Sequence, residues 1–290
     1  MAWKLRSTIG ALSLWPILVG AANSSSVAQD GTLTSGWVND HASRVRLTAG
    51  AAPVGAVISG LVAGIEFKLE DGWKTYWRHP GTSGVPPRFD WSGSDNLTVA
   101  AVSFPAPQRF ADSDGETIGY KSAVVLPVVL SAKDPSRAIT LKLDMEYGVC
   151  KDVCIPVQAV LQLTVPPGAA GTPVGLALAE AIDRVPLPPE RAGQLAPKVQ
   201  AIDVDLAASK PQITIDAVFA KGAKGTDVFL EAPQGAWLPM TRAVEGAPQG
   251  TARFIVDLTD GADLADLKGR TIRLTLVSDS GQLETSFVLE

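Results

Sequence analysis

Cys150 and Cys154, the only cysteines in the chain, are separated by three residues and flanked by runs in which apolar and polar residues alternate. Ile139, Leu141, Leu143 and Met145 lead in; Val157, Ala159 or Val160, Leu161 and Leu163 lead out. A period of two on each side predicts two β-strands. Residues 151–153 then form the loop of a β-hairpin. The two cysteines face each other across its neck, where the Cα spacing of paired strands falls within disulfide range.

Such a bridge closes a very small ring. Disulfide stabilisation grows with the logarithm of the closed loop, which places this one at the weak end of the usual roughly 2–4 kcal/mol. The twist of so short a hairpin adds strain, and strained, exposed disulfides are the readily reduced ones. Three readings fit the pair: a redox-active couple, a small structural staple, or a thiolate metal site, soft sulfur suiting Cu(I). Lys151 favours a thiolate, whereas Asp152 and Glu146 oppose it. Pro156 lacks an N–H; it either leaves the Cys154 sulfur accessible at a sheet edge or simply protects that edge.

The chain begins with targeting information. Lys4 and Arg6 form a positive n-region, residues 9–19 are an apolar run too short to span a bilayer, and Ser26-Val27-Ala28 offers a small-x-small cleavage site. Residues 1–28 read as a secretory signal, with an alternative cut near Ala21 or Ala22. Its removal takes away two cations and moves the formal net charge from −5 to −7. A modestly acidic protein argues against nucleic acid as a partner. No later stretch approaches 18 uninterrupted apolar residues, so the mature chain is expected not to span a membrane. Export puts the cysteines where disulfides form and persist.

Further along, residues 29–42 read as a polar, mobile lead-in to which Trp37 and Val38 could dock, and residues 44–48 as a first strand. Residues 61–69, 89–91, 97–104 and 123–130 give further strand signals, Pro127 pointing to an edge or a bulge. Short strands with no helical stripe up to Val165 indicate an antiparallel β-sandwich over residues 29–167. Residues 174–185 carry helix formers stopped by Pro186, which makes 168–194 a short helical linker. Alternation then returns and predicts a second β-sandwich over residues 195–290. The fold class is therefore all-β, two sandwiches joined by a helical linker.

The run Tyr147-Gly148-Val149-Cys150-Lys151-Asp152-Val153-Cys154-Ile155-Pro156, preceded by Tyr120-Lys121-Ser122-Ala123-Val124-Val125-Leu126-Pro127-Val128, resembles the N-terminal periplasmic domain of the DsbD thiol:disulfide interchange proteins. The segment Gly72-Trp73-Lys74-Thr75-Tyr76-Trp77-Arg78-His79-Pro80-Gly81, continuing to Pro87, is similar to the ScsB branch associated with copper tolerance. The resemblance covers about residues 40–165 and weakens from 195 onward. It implies a periplasmic immunoglobulin-like domain that takes electrons from a membrane-embedded thiol relay and passes them to periplasmic thioredoxin-like oxidoreductases. Cys150 and Cys154 match the exchanging pair, with Cys154 as the attacking thiol and Cys150 the resolving one.

The same resemblance places a cap loop over the pair at residues 112–120, so that Asp112, Asp114, Glu116 and Tyr120, with Tyr147, are expected around the cysteines. Two departures stand out. Better-known DsbD domains have more residues between the cysteines. The sequence also ends at Glu290 without the membrane segments or thioredoxin-like domain of full-length relatives, so its electron donor is expected to be a separate protein. No cofactor is expected. The alternatives are Cu(I) held by Cys150 and Cys154, and a non-catalytic interaction module with a structural bridge. Trp73, Tyr76, Trp77 and Trp91 are expected to fill a core or rim, an aromatic binding face being the alternative. His79 reads as a turn residue in preference to a metal ligand, and His41 as solvated.

Overall fold

The computed structural model describes residues 26–27, 33–112, 115–233, 236–248 and 250–290. The expected signal segment lies almost wholly outside these residues; only Ser26–Val27 is described, as a short strand paired with Leu33–Thr34.

The alternating run around the cysteines forms the longest hairpin among the described residues. Ile139–Cys150 pairs with Cys154–Val165 in unbroken register, from Ile139 opposite Val165 to Cys150 opposite Cys154. Val157, Ala159, Leu161 and Leu163 point into the core and Val160 points out, which settles the phase that the sequence left open. This hairpin forms one side of a sheet ordered Cys154–Val165, Ile139–Cys150, Lys74–Gly81, Gly115–Lys121, Gln108–Asp112, with Arg88–Asp90 also on the Ile139–Cys150 strand. The facing sheet runs Ser26–Val27, Leu33–Thr34, Ser43–Ala51, Leu61–Leu69, Ala123–Ala132, Leu97–Val102. Leu47, Ile65, Phe67, Trp77, Leu126, Leu141, Leu143, Met145 and Leu161 fill the space between the two sheets.

Two local expectations change. The described part of the lead-in is built into the sheet: Leu33–Thr34 and Val38–Asp40 both pair with Ser43–Ala51, and Trp37 lies under Arg44, Arg46 and Lys68, with the Arg46 guanidinium 4.4 Å from its ring centroid. Pro127 is not on an edge strand. It pairs with Gly64 just past the point where the ladder to Leu97–Val102 ends, and its carbonyl accepts from Ser103 N–H. The missing proline N–H therefore breaks no rung there.

The predicted linker helix is Leu176–Asp183. Leu178, Ala181 and Ile182, at the i, i+3, i+4 spacing of one face, bury against Ile58, Val62 and Val125. The helix is thus docked on the first sandwich. The second sandwich packs a sheet of Lys198–Asp205, Gln212–Val218, Ala252–Asp257 and Arg242–Val244 on one of Asp227–Glu231, Thr271–Ser278 and Gly281–Val288. Its core holds Ile213, Ile215, Phe254, Val256, Ile272, Leu274 and Leu276.

The two sandwiches share an interface. Phe229 of the second belongs to the core of the first, its ring centroid 5.7 Å from that of Trp77. Arg78 forks onto Glu231, with Nε–Oε2 2.9 Å and Nη2–Oε1 2.6 Å, and also donates to Glu284. Arg109 forks onto Asp227 at 2.9 and 2.8 Å and reaches Thr241 and Glu116. Planar guanidinium forks of this kind hold carboxylates in fixed geometry, which a lysine cannot do.

Candidate redox site

Cys150 and Cys154 form a disulfide with Cα atoms 4.2 Å apart, at the closed end of the hairpin. Their environments differ. Cys150 is buried, 6% exposed, within the ladder, whereas Cys154 is exposed at the first residue of the sheet's terminal strand. A protein approaching from solvent therefore meets the Cys154 sulfur first.

The Cys154 sulfur has one hydrogen-bond partner of consequence. Tyr76, only 2% exposed, places its hydroxyl 2.9 Å from Sγ. A disulfide sulfur carries no proton, so the phenol donates. The ring is fixed from two sides. A Cβ built on Gly148 would lie 2.8 Å from Tyr76 Cε2, and one on Gly84 would lie 2.8 Å from Cδ1. Glycine is required at both positions because the ring occupies the space a side chain would need. Below the ring, Thr75 donates to the Gly148 carbonyl at 2.8 Å, and Val149 opposite Thr75 and Cys150 opposite Lys74 are in register. After reduction, the hydroxyl is placed to hold a thiolate at Cys154, and hydrogen bonds to charged acceptors are the stronger kind.

Lys74, 4% exposed, is the cross-strand neighbour of Cys150; its Nζ lies 5.7 Å from the Phe110 ring, over which Lys121 also sits at 4.6 Å. Lys151 reaches over the turn at Asp71 and Gly72, Nζ 3.4 Å from the Asp71 carbonyl.

The other residues expected around the pair are engaged elsewhere. Glu116 pairs with Arg109 at 2.9 Å, so it belongs to the interface between the sandwiches. Tyr120 is buried and donates to Pro105 O at 2.8 Å; burial pushes its phenol well above the usual range. Tyr147 shares a 2.9 Å hydrogen bond with Ser43 and packs edge-on to Phe67, its phenol also pushed up by burial. Asp114 lies outside the described residues, and of Asp112 only the backbone is described, opposite Gly115.

The segment expected as a cap is a hairpin in the sheet. Gly115–Lys121 pairs with Lys74–Gly81, one strand away from the cysteine hairpin. What overlies Tyr76 is the loop of residues 82–87, through Gly84, with Val85 against the Gly148 position. Thr82 bonds the Glu116 carbonyl by its N–H, at 3.2 Å, and by its hydroxyl, so the hairpin braces that loop.

Sequence reasoning missed Tyr76 and Lys74 as site residues. The usable signals were Gly148, an interior strand glycine beside a cysteine, and Gly84 in the loop after the aromatic run; each marks a close approach. His79 lies in the strand Lys74–Gly81 and not in a turn. Burial holds its imidazole below the usual range, Arg78 adding to the effect and Glu231 opposing it. With the folded-state pKa lowered, the unfolded chain binds the proton more readily. Stability is complete above about pH 6.5 and falls as pH drops through the lowered folded value. The melting temperature is expected to fall on acidification across that range, and His79→Gln to flatten the dependence in a pH series of thermal melts.

Residues 48–166 match the family described as "Thiol:disulfide interchange protein DsbD, N-terminal". Among solved structures, the N-terminal periplasmic domain of ScsB from Proteus mirabilis superposes with a TM-score of 0.65 at 23% identity, covering 89% of this chain and 99% of that one. The likeness extends the shared fold over both sandwiches. No curated protein matches the sequence.

Proposed function

We propose, from the match of residues 48–166 to the DsbD N-terminal family of thiol:disulfide interchange proteins, that the Cys150–Cys154 pair passes reducing equivalents in the periplasm. The observation that carries this reading is the asymmetry of the bridge: an exposed Cys154 with a phenol on its sulfur, and a buried Cys150 directly opposite. In the reduced protein the Cys154 thiolate attacks one sulfur of a partner disulfide. That S–S bond breaks, its other sulfur leaves as a thiolate and takes up a proton, and a mixed disulfide joins the proteins. Cys150, losing its proton, then attacks Cys154 Sγ and restores the intramolecular bridge, releasing the partner's second thiol. The sum is two electrons and two protons delivered.

Cross-strand pairing keeps Cys150 in place for the second attack, which makes resolution an intramolecular step. The electron source is a membrane-embedded thiol relay and the acceptors are thioredoxin-like oxidoreductases, as in the family that the first sandwich matches. Among the described residues no helix is long and apolar enough to cross a membrane.

The test is the reduction potential of the pair, equilibrated against glutathione buffers. A value less negative than about −300 mV is expected. A more negative one would place the bridge among structural disulfides and overturn the reading.

A further inference from the structure

The strand Lys74–Gly81 is in contact with two distant parts of the molecule. Lys74, Thr75 and Tyr76 reach the cysteine hairpin. Trp77 and Arg78 reach the second sandwich, at Phe229 and at Glu231 with Glu284.

Within its own sheet this strand is poorly secured beyond Tyr76. Its register with the cysteine hairpin consists of Val149 opposite Thr75 and Cys150 opposite Lys74. On the other side Tyr76 pairs with Gly119 and Gly81 with Thr117, so residues 77–80 are matched by Ile118 alone. A bulge of this kind bends a strand and interrupts its ladder, and Pro80 has no N–H to contribute. In the bulge, Trp77 is buried in the core of the first sandwich, where Phe229 also meets it, and Arg78 is held by Glu231 and Glu284 of the second.

We propose that the second sandwich positions the redox pair: Glu231 and Glu284, by clasping Arg78, fix the bulged strand so that the Tyr76 hydroxyl stays on Cys154 Sγ. Arg78, Glu231 and Glu284 are positioning residues that act through Tyr76. The inference rests on the redox reading of the pair and gives the second sandwich a part in it.

Tyr76 donating to a Cys154 thiolate stabilises the reduced form, and stabilising the reduced form makes a couple more oxidising. Loosening the clasp has the opposite effect. The experiment uses the full chain and two measurements: the alkylation rate of Cys154 against pH in a Cys150→Ser background, and the glutathione equilibrium of the intact pair. Glu231→Gln and Arg78→Lys are each expected to slow alkylation at neutral pH by about tenfold, the scale of one hydrogen bond to a charged sulfur. The same substitutions shift the glutathione equilibrium about tenfold toward the disulfide, about 30 mV. In a Tyr76→Phe background, Glu231→Gln adds nothing further, because the group it positions is gone. Asp227→Asn, which loosens Arg109 on a different strand, stays within about twofold of wild type, as expected of a distant independent site.

Several results would overturn the proposal. Faster alkylation in Glu231→Gln would mean that only the lost negative charge is felt. An equal shift in Asp227→Asn would make the effect general packing, and an undiminished effect in Tyr76→Phe would bypass the hydroxyl. If Glu231→Gln does not fold, Glu284→Gln takes its place with the same expectations. Wild-type protein that exchanges normally alongside variants that do not differ sinks the positioning role alone; a wild-type pair that does not exchange sinks the redox reading itself.

Discussion

Alanine at Cys154 is expected to abolish disulfide exchange, whereas alanine at Cys150 stops it half-way and leaves a covalent adduct. Cys154 is the sulfur that solvent and a visiting protein can reach, while Cys150 is 6% exposed and sits inside the ladder. Loss of an attacking nucleophile removes the reaction route outright, so the rate with an oxidised partner should fall by at least about a thousandfold in Cys154→Ala. In Cys150→Ala the first attack still occurs and the resolving thiol is missing, so a mixed disulfide through Cys154 accumulates. Non-reducing electrophoresis with peptide mapping reads the outcome. Adducts formed in equal yield through Cys150 in the Cys154→Ala protein would show that exposure does not set the order of attack.

The second large effect is on stability. Trp77 is fully buried in the core of the first sandwich and packs at a tilt against Phe229 of the second. Trp77→Ala is expected to cost about 3–5 kcal/mol, the range for deleting a large buried aromatic. The loss is shared by both sandwiches, because the cavity opens at their joint. The indole N–H makes no hydrogen bond in the structure, so Trp77→Phe gives up packing volume and part of the ring face over which Arg78 lies at 4.4 Å, and should cost distinctly less. Denaturant unfolding of both variants checks the pair. A change below about 1 kcal/mol in Trp77→Ala would mean that the site collapses and refills, against the close packing of protein interiors.

Much of the first sandwich was legible because its strands alternate cleanly. The hairpin of residues 139–165 follows from period-two patterning and the two lone cysteines, and the linker helix from a run of helix formers stopped by Pro186. The site was less legible. Tyr76 belongs to an aromatic run whose neighbours, Trp77 foremost, do fill the core, and nothing local marks which ring leaves it. The bulge at residues 77–80 breaks the period that would have assigned sides. Glu116, Tyr120 and Tyr147 carry groups that suit a redox site, yet Arg109, Pro105 and Ser43 claim them. Arg78 finds Glu231 153 positions away in the sequence. Pairings of that kind depend on how two finished domains meet, and no window of neighbouring residues encodes them.

The strand that starts with Cys154 is the last of its sheet, and among the described residues one of its flanks has no neighbouring strand. Such a rim invites a second chain to zip along it, the usual route to unwanted self-association. Pro156, two residues from the sulfur, withholds the amide such a zipper would need first. If the pair exchanges with partners as proposed, side-chain fit around the exposed cysteine is expected to select them in place of strand pairing.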